Sequence, residues 1–139
     1  MKKPALLFTL KCAAILYFAA CTNIDKLTVS KSASAILTGN GCKVNLYLQG
    51  DNDQTNDLSG YKLQFTEDGN LKAVKNDVVL NGNWHEDDLN KTLLISFDTE
   101  DRNLDKLNYK WNITKISGNA VAFESDNESG TEKLNITNE

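Results

Sequence analysis

The single histidine is the first place to look for chemistry, because His is the usual general base and a common zinc ligand. His85 lies at the end of a predicted strand, directly before the acidic run Glu86–Asp88. A catalytic base needs an orienting partner and a pocket, and no partner for His85 stands out in the sequence. We therefore interpret His85 as a surface residue beside solvated acids, and we predict that the protein is not an enzyme and uses no cofactor.

A polar run from Asp51 to Asp57 is a second candidate, because its oxygen-bearing side chains alternate as they do at the start of a calcium loop. An EF-hand has Gly at the sixth position and a bidentate Glu at the twelfth, where this chain has Asn56 and Lys62. The alternative is a polar crossing between two strands, with Asp or Thr capping a short helical turn. We predict no metal site here.

The three cysteines fall in different contexts. An apolar run from Cys12 to Ala20 follows three lysines and ends in small residues, which is typical of a secretory signal. The run is shorter than the roughly 20 residues that cross a bilayer as a helix. The tetrapeptide Phe18-Ala19-Ala20-Cys21 resembles the lipobox of bacterial lipoproteins, which implies that residues 1–20 are removed and Cys21 is lipidated. Cys42 lies at an inward position of a predicted strand, where Cys is a small hydrophobe.

The predicted processing changes the charge and the location. Loss of three lysines with the signal leaves 12 basic and 19 acidic residues, so the net charge falls from −4 to −7. This balance argues against nucleic acid, whose phosphates require clustered Lys and Arg. Thr22 stands where an Asp favours inner-membrane retention of enterobacterial lipoproteins, so the resemblance implies the outer membrane. Residues 21–37 are then the lipidated Cys and a flexible tether, and residues 38–139 are the folded domain.

Alternating apolar and polar residues dominate the chain beyond the predicted tether. Cys42, Val44, Leu46 and Leu48 have the period of two that is typical of a half-buried strand. Seven further segments follow, separated by turn signals such as Asp68-Gly69. Eight short strands joined by tight turns predict an all-β fold, an eight-stranded antiparallel up-and-down barrel, which has no free edges. A seven- or eight-stranded sandwich is the alternative.

The mature sequence resembles the lipocalin-like lipoproteins of Bacteroidetes. The motifs that carry the resemblance are Leu37-Thr38-Gly39-Asn40, Lys43-Val44-Asn45-Leu46-Tyr47, the segment from Asp53 to Tyr61, Phe65, Asp68-Gly69 and Gly82-Asn83-Trp84. The resemblance implies a lipid-anchored barrel with one mouth, in a family whose members mostly have no assigned ligand. Where the family has a Trp that fills the closed end, this chain has Gly41-Cys42, so either Trp84 or Trp111 fills that space or the floor of the barrel is looser.

Large side chains share the inward parity of the predicted strands. They either wall an apolar ligand pocket, since an eight-stranded barrel can hold one small ligand, or simply fill the interior. The candidate pocket residues are Leu46, Tyr61, Leu63, Phe65, Trp84, Leu93, Ile95, Phe97, Tyr109, Trp111 and Phe123.

Two functions follow from these alternatives. The first is an outer-membrane lipoprotein that binds a small hydrophobic molecule, such as a fatty acid or an isoprenoid, inside the barrel. The second is a filled barrel that acts as a scaffold, inhibitor or assembly subunit, and binds another cell-envelope protein through the acidic loops Glu86–Asp88 and Asp98–Asp105. An enclosed apolar cavity of about 300 Å³ or more favours the first, and a packed interior favours the second.

Overall fold

Nine strands form one antiparallel sheet whose last strand pairs with its first. The computed structural model describes residues 31–128 and 130–139; the predicted signal peptide, Cys21 and residues 22–30 of the predicted tether lie outside them. The strands are β1 (Cys42–Gln49), β2 (Asn52–Asp53), β3 (Lys62–Phe65), β4 (Asn70–Lys75), β5 (Val78–Asp87), β6 (Thr92–Phe97), β7 (Lys110–Ser117), β8 (Ala120–Asn127) and β9 (Gly130–Asn138). The helical elements are α1 (Ala33–Leu37), a 3₁₀ turn (Thr55–Leu58) and α2 (Arg102–Asp105).

The pairing order confirms the predicted barrel. β2 pairs only with the end of β1, and the other eight strands follow one another around the ring until β9 pairs with β1. Each neighbouring pair is antiparallel, from β3–β4 through β8–β9. The closed ring excludes the two separate sheets of a sandwich.

A β-bulge in β1 changes which side chains reach the interior. The register against β9 shifts between Val44 and Leu46, so that one residue of β1 is left without a counterpart. The extra residue reverses the inward and outward alternation. Tyr47 is consequently buried, whereas Leu46 is 36% exposed. The prediction that Leu46 faces the interior is wrong for this reason.

Helix α1 closes one end of the barrel and packs against β8 and β9. Its Ala33, Ile36 and Leu37 are buried in the core. The Glu86 carboxylate of β5 accepts hydrogen bonds from the backbone N–H groups of Ala33 (2.9 Å) and Ser34 (2.8 Å), which are otherwise unpaired at a helix start. The last five residues of the predicted tether, 33–37, are therefore part of the folded domain, because their apolar side chains cover the barrel end.

Three leucines close the opposite end: Leu58 of the 3₁₀ turn, Leu104 of α2 and Leu107 after it. Asp101 caps α2 by accepting hydrogen bonds from the backbone N–H groups of Asn103 and Leu104. One carboxylate of the predicted acidic loop is thus used within the fold. Within residues 31–128 and 130–139, no helix is long and apolar enough to cross a membrane.

Candidate functional site

The predicted pocket residues other than Leu46 pack into the barrel core. Tyr109 is partly buried and packs against the core, and the others are buried: Tyr61, Leu63, Phe65, Trp84, Leu93, Ile95, Phe97, Trp111 and Phe123. Several side chains that share this interior are absent from the predicted pocket residues, among them Leu37, Tyr47, Leu104, Leu107 and Leu134. Most of these residues lie in the short helical elements or follow the bulge.

The aromatic rings contact one another in two groups, one at each end of the barrel. Near α1, Phe65 and Trp84 are 5.5 Å apart between ring centroids, and the Trp84 indole N–H donates to the Thr66 carbonyl (2.9 Å). At the other end, Trp111 is edge-on to Tyr47 and Tyr109, with centroids 6.5 Å and 5.9 Å apart. Edge-to-face packing of this kind fills space with direct ring contacts.

Helix α1 and the Trp84 indole together fill the end of the barrel that lies at α1. The Cys42 thiol donates to the Leu37 carbonyl (3.4 Å) and is fully buried, as predicted. Burial, followed by the negative charge of Glu139, raises the pKa of the Cys42 thiol to about 11. A thiol held neutral is a poor nucleophile, so Cys42 has a packing role.

The other candidates from the sequence are on the surface. His85 is exposed, as predicted. In the polar run, Asp53 Oδ1 accepts from the Thr55 backbone N–H (2.9 Å) and hydroxyl (2.6 Å), and Asp57 pairs with Lys106. These contacts fit the predicted crossing with a capped turn. Across the described residues, no three His, Cys, Asp or Glu side chains come together as metal ligands.

The largest of five grooves lined by described residues lies on the outside of the barrel, with a volume of about 780 Å³. We call it the β7 groove. It is bounded by the β5–β6 turn, by β7 and by Lys31 and Ser32, and its lining includes Glu86, Asp88, Lys91, Ile113, Thr114, Lys115, Ile116 and Gly118. Among these five grooves, none has Trp111, Tyr47 or Phe123 in its lining.

One edge of β7 is free in this groove. Pairing with β6 ends at Asn112, and the Ile113 N–H donates to the Lys91 carbonyl (2.8 Å). Residues 115–117 pair with β8 on one side and with no described strand on the other, and Thr114 lies at a bulge in the register with β8. No pattern in the sequence predicts this free edge, because it follows from the short length of β6.

The burial of one acidic residue, Glu132, was also not predicted from the sequence. It is 1% exposed and lies on the inward face of β9. The signal was its spacing: Glu132 is two and four residues before the buried Leu134 and Ile136, and therefore has the inward parity of a strand.

The barrel fold is shared with a solved structure of a Bacteroides protein. A DUF4847 family protein from Bacteroides vulgatus superposes with a TM-score of 0.55, covering 76% of this chain and 96% of that chain at 12% identity. At this identity the likeness shows the barrel fold and does not extend to the lipocalin-like lipoproteins in particular. No family model matches the chain, and no curated protein matches it.

Proposed function

We propose that this protein is an outer-membrane lipoprotein, anchored through Cys21, whose filled barrel binds another cell-envelope protein. The anchor rests on the signal-like residues 1–20 and the lipobox-like tetrapeptide before Thr22. The filled barrel rests on the buried side chains along its axis and on the closure of both ends. Where side chains fill the interior, a partner protein meets the outer surface of the barrel.

The free edge of β7 is the observation that carries the binding proposal. An unpaired strand edge offers backbone N–H and C=O groups that another extended segment can complete. The partly buried Ile113 and Ile116 give the groove an apolar floor, and the exposed Lys91 and Lys115 lie beside it. The occupant that fits is an extended segment of a partner protein with an apolar side chain next to an acidic one.

Both acidic loops also have structural roles, although Glu86 and Asp88 of the first loop line the β7 groove. Glu86 holds the start of α1, and Asp101 caps α2 and accepts a hydrogen bond from the Tyr61 hydroxyl. Carboxylates that already accept several hydrogen bonds have fewer lone pairs for a partner. We therefore locate the partner site at the β7 groove.

Site-specific photocrosslinking in intact cells tests this function. A photoreactive side chain at Lys115, on the free edge, is expected to crosslink one specific envelope protein. The matched control is the same group at Lys72, an exposed residue of β4. A second variant, Ile116→Asp, is expected to remove the crosslink from Lys115 by charging the groove floor. Equal crosslinking from both positions, or none from Lys115, would contradict the proposal.

A small hydrophobic ligand is the second candidate, and the size of the β7 groove favours it. A volume of about 780 Å³ is within the range that holds small ligands, and lysines beside an apolar floor suit a fatty acid. Binding inside the barrel would require the packed side chains to separate. Native mass spectrometry of protein purified from its own membrane, with displacement of an apolar fluorescent probe, tests both places. Ile116→Asp should abolish probe binding in the groove and leave binding in the interior unchanged.

A further inference from the structure

A buried carboxylate without a cation lies at the end of the barrel opposite α1. Glu132 of β9 pairs with Gln49 of β1 and Ser125 of β8, and its side chain is enclosed between these strands. The Asn127 amide donates to its Oε1 (2.7 Å) and the Tyr47 hydroxyl lies against the carboxylate, but Oε2 accepts no hydrogen bond of good geometry from a described residue. None of the four ion pairs among those residues includes Glu132. A buried charge is normally paired or bound to a cation, since desolvation is costly.

A second orphaned oxygen belongs to the same cluster. Gln54 Oε1 is buried without a partner, and its Nε2 donates to Gln49 Oε1 (3.0 Å). Gln49 is the direct cross-strand neighbour of Glu132, and directly opposed residues project to the same face of a sheet. The two acceptor oxygens therefore belong to residues that both neighbour Gln49. A group that brings hydrogen-bond donors would satisfy them.

Aromatic rings stand beside this carboxylate. Burial raises the pKa of the Tyr47 hydroxyl, and the charge of Glu132 and a hydrogen bond to its carboxylate raise this pKa further; burial and then the charge of Glu132 also raise the pKa of Tyr109. Both rings contact Trp111. Aromatic faces next to a carboxylate attract cations through the ring quadrupole. Tyr109 is only partly buried, which leaves a side of the cluster near solvent.

The donor set favours an ammonium group over a metal ion. Calcium takes six to eight oxygen ligands, typically including several carboxylates. The described residues provide one carboxylate here and no group of three potential metal ligands. A primary ammonium has three N–H donors, and Glu132, Gln54 and Tyr47 each carry an oxygen that can accept one.

We propose that Glu132, Gln54, Tyr47 and Tyr109, which we call the Glu132 site, bind the primary ammonium group of a small ligand. The carboxylate supplies the counter-charge, Gln54 a neutral acceptor and the two tyrosines the aromatic wall. The site lies at the opposite end of the barrel from α1 and the β7 groove. It therefore does not depend on the partner-binding proposal.

Fluorescence titration of the full-length protein tests the site. The chain has two tryptophans, and Trp84 lies at the far end of the barrel, so a Trp84→Phe background reports from Trp111 alone. Methylammonium and ethanolamine are expected to change the Trp111 emission saturably and to raise the melting temperature. Glu132→Gln should weaken binding by about tenfold or more, since it removes a charge-assisted hydrogen bond. Glu124→Gln, at an outward position of β8, should leave binding unchanged.

Other probes separate the alternatives. Tetramethylammonium lacks N–H donors, and calcium requires more oxygen ligands, so both are expected to bind at least about tenfold more weakly than methylammonium. If Glu132→Gln does not fold, Gln54→Ala on the surface loop is expected to weaken binding without unfolding the barrel. The proposal is overturned if neither amine binds at about 10 mM. Equal binding by Glu132→Gln, or equal binding of tetramethylammonium, would also overturn it.

Discussion

At the level of single residues, Leu46 and Tyr47 show how one extra residue decides which of two neighbours reaches the core. The alternation before the bulge places Cys42 and Val44 inside, as the sequence predicts. Continuing that alternation places Leu46 inside as well. A bulge has no reliable marker in a single sequence, since it depends on the register that β9 imposes.

Substitutions of two leucines to alanine test this assignment. Leu63→Ala removes a fully buried side chain and is expected to lower the free energy of unfolding by about 2–5 kcal/mol. Leu46→Ala should cost under about 1 kcal/mol, because the side chain is partly in water in both states. Urea unfolding of the two variants measures the difference. Equal costs would contradict the outward orientation of Leu46.

The Cys42 thiol makes stability depend on alkaline pH. Its pKa is about 11 in the folded protein and close to the ordinary 9.0 when unfolded. The folded state therefore favours the neutral thiol, and this contribution is complete below pH 9 and is lost as the pH rises toward 11. Cys42→Ala is expected to flatten the fall in unfolding free energy between these pH values. Chemical unfolding at pH 8 and pH 11 checks it; an unchanged slope in Cys42→Ala would exclude the thiol as its cause.

Glu132 shows the limit of reasoning from residue type. Charged residues are seldom buried, so a Glu at an inward position of a short predicted strand is easily assigned to a turn. The sequence predicts the strand periodicity around Glu132, because Leu134 and Ile136 follow at intervals of two. The sequence does not predict that Glu132 is buried, since the strands that enclose it are far away in the sequence.

Among the elements, strands were predictable and short helices were not. Alternation identifies strands such as β3 and β6 from four to six residues. Helix α1 has five residues and α2 has four, which is too few for a period of 3.6 to be distinguished from chance. Both are held by carboxylates, and the one that holds α1, Glu86, belongs to a strand distant in the sequence.

Glu86 is expected to be the main attachment of the start of α1. Glu86→Ala removes two hydrogen bonds to backbone N–H groups and should lower the free energy of unfolding by about 1–2 kcal/mol. Amide hydrogen exchange at Ala33 and Ser34 should accelerate much more than exchange in β9. Asp88→Asn is the control, because Asp88 is an exposed neighbour in the β5–β6 turn. Equal acceleration in both variants would contradict the capping role.

For the whole molecule, the fold class and strand order were predictable because the barrel is built from sequence neighbours. Every pairing except the closing β1–β9 ladder and the β1–β3 contact past β2 joins consecutive strands. The β7 groove was not predictable, because it forms where β7 continues beyond the residues that pair with the shorter strand β6.

Removal of α1 tests where the domain begins. A chain starting at Thr38, the predicted boundary, loses the burial of Ile36 and Leu37, which corresponds to roughly 3–6 kcal/mol. A chain starting at Lys31 keeps them. We expect the shorter chain to melt at a lower temperature and its Cys42 to react faster with thiol reagents. Identical melting of the two chains would place the boundary after α1.

Helix α1 also sets how the molecule would stand on a membrane. The proposed anchor, Cys21, is ten residues before Lys31, at one edge of the β7 groove. A chain of that length spans at most about 35 Å even when fully extended. An anchor at Cys21 would hold the groove within that distance of the lipid headgroups, with the Glu132 site at the far end of the barrel. The β7 groove would then face other membrane-associated proteins, and the Glu132 site would face small molecules in solution.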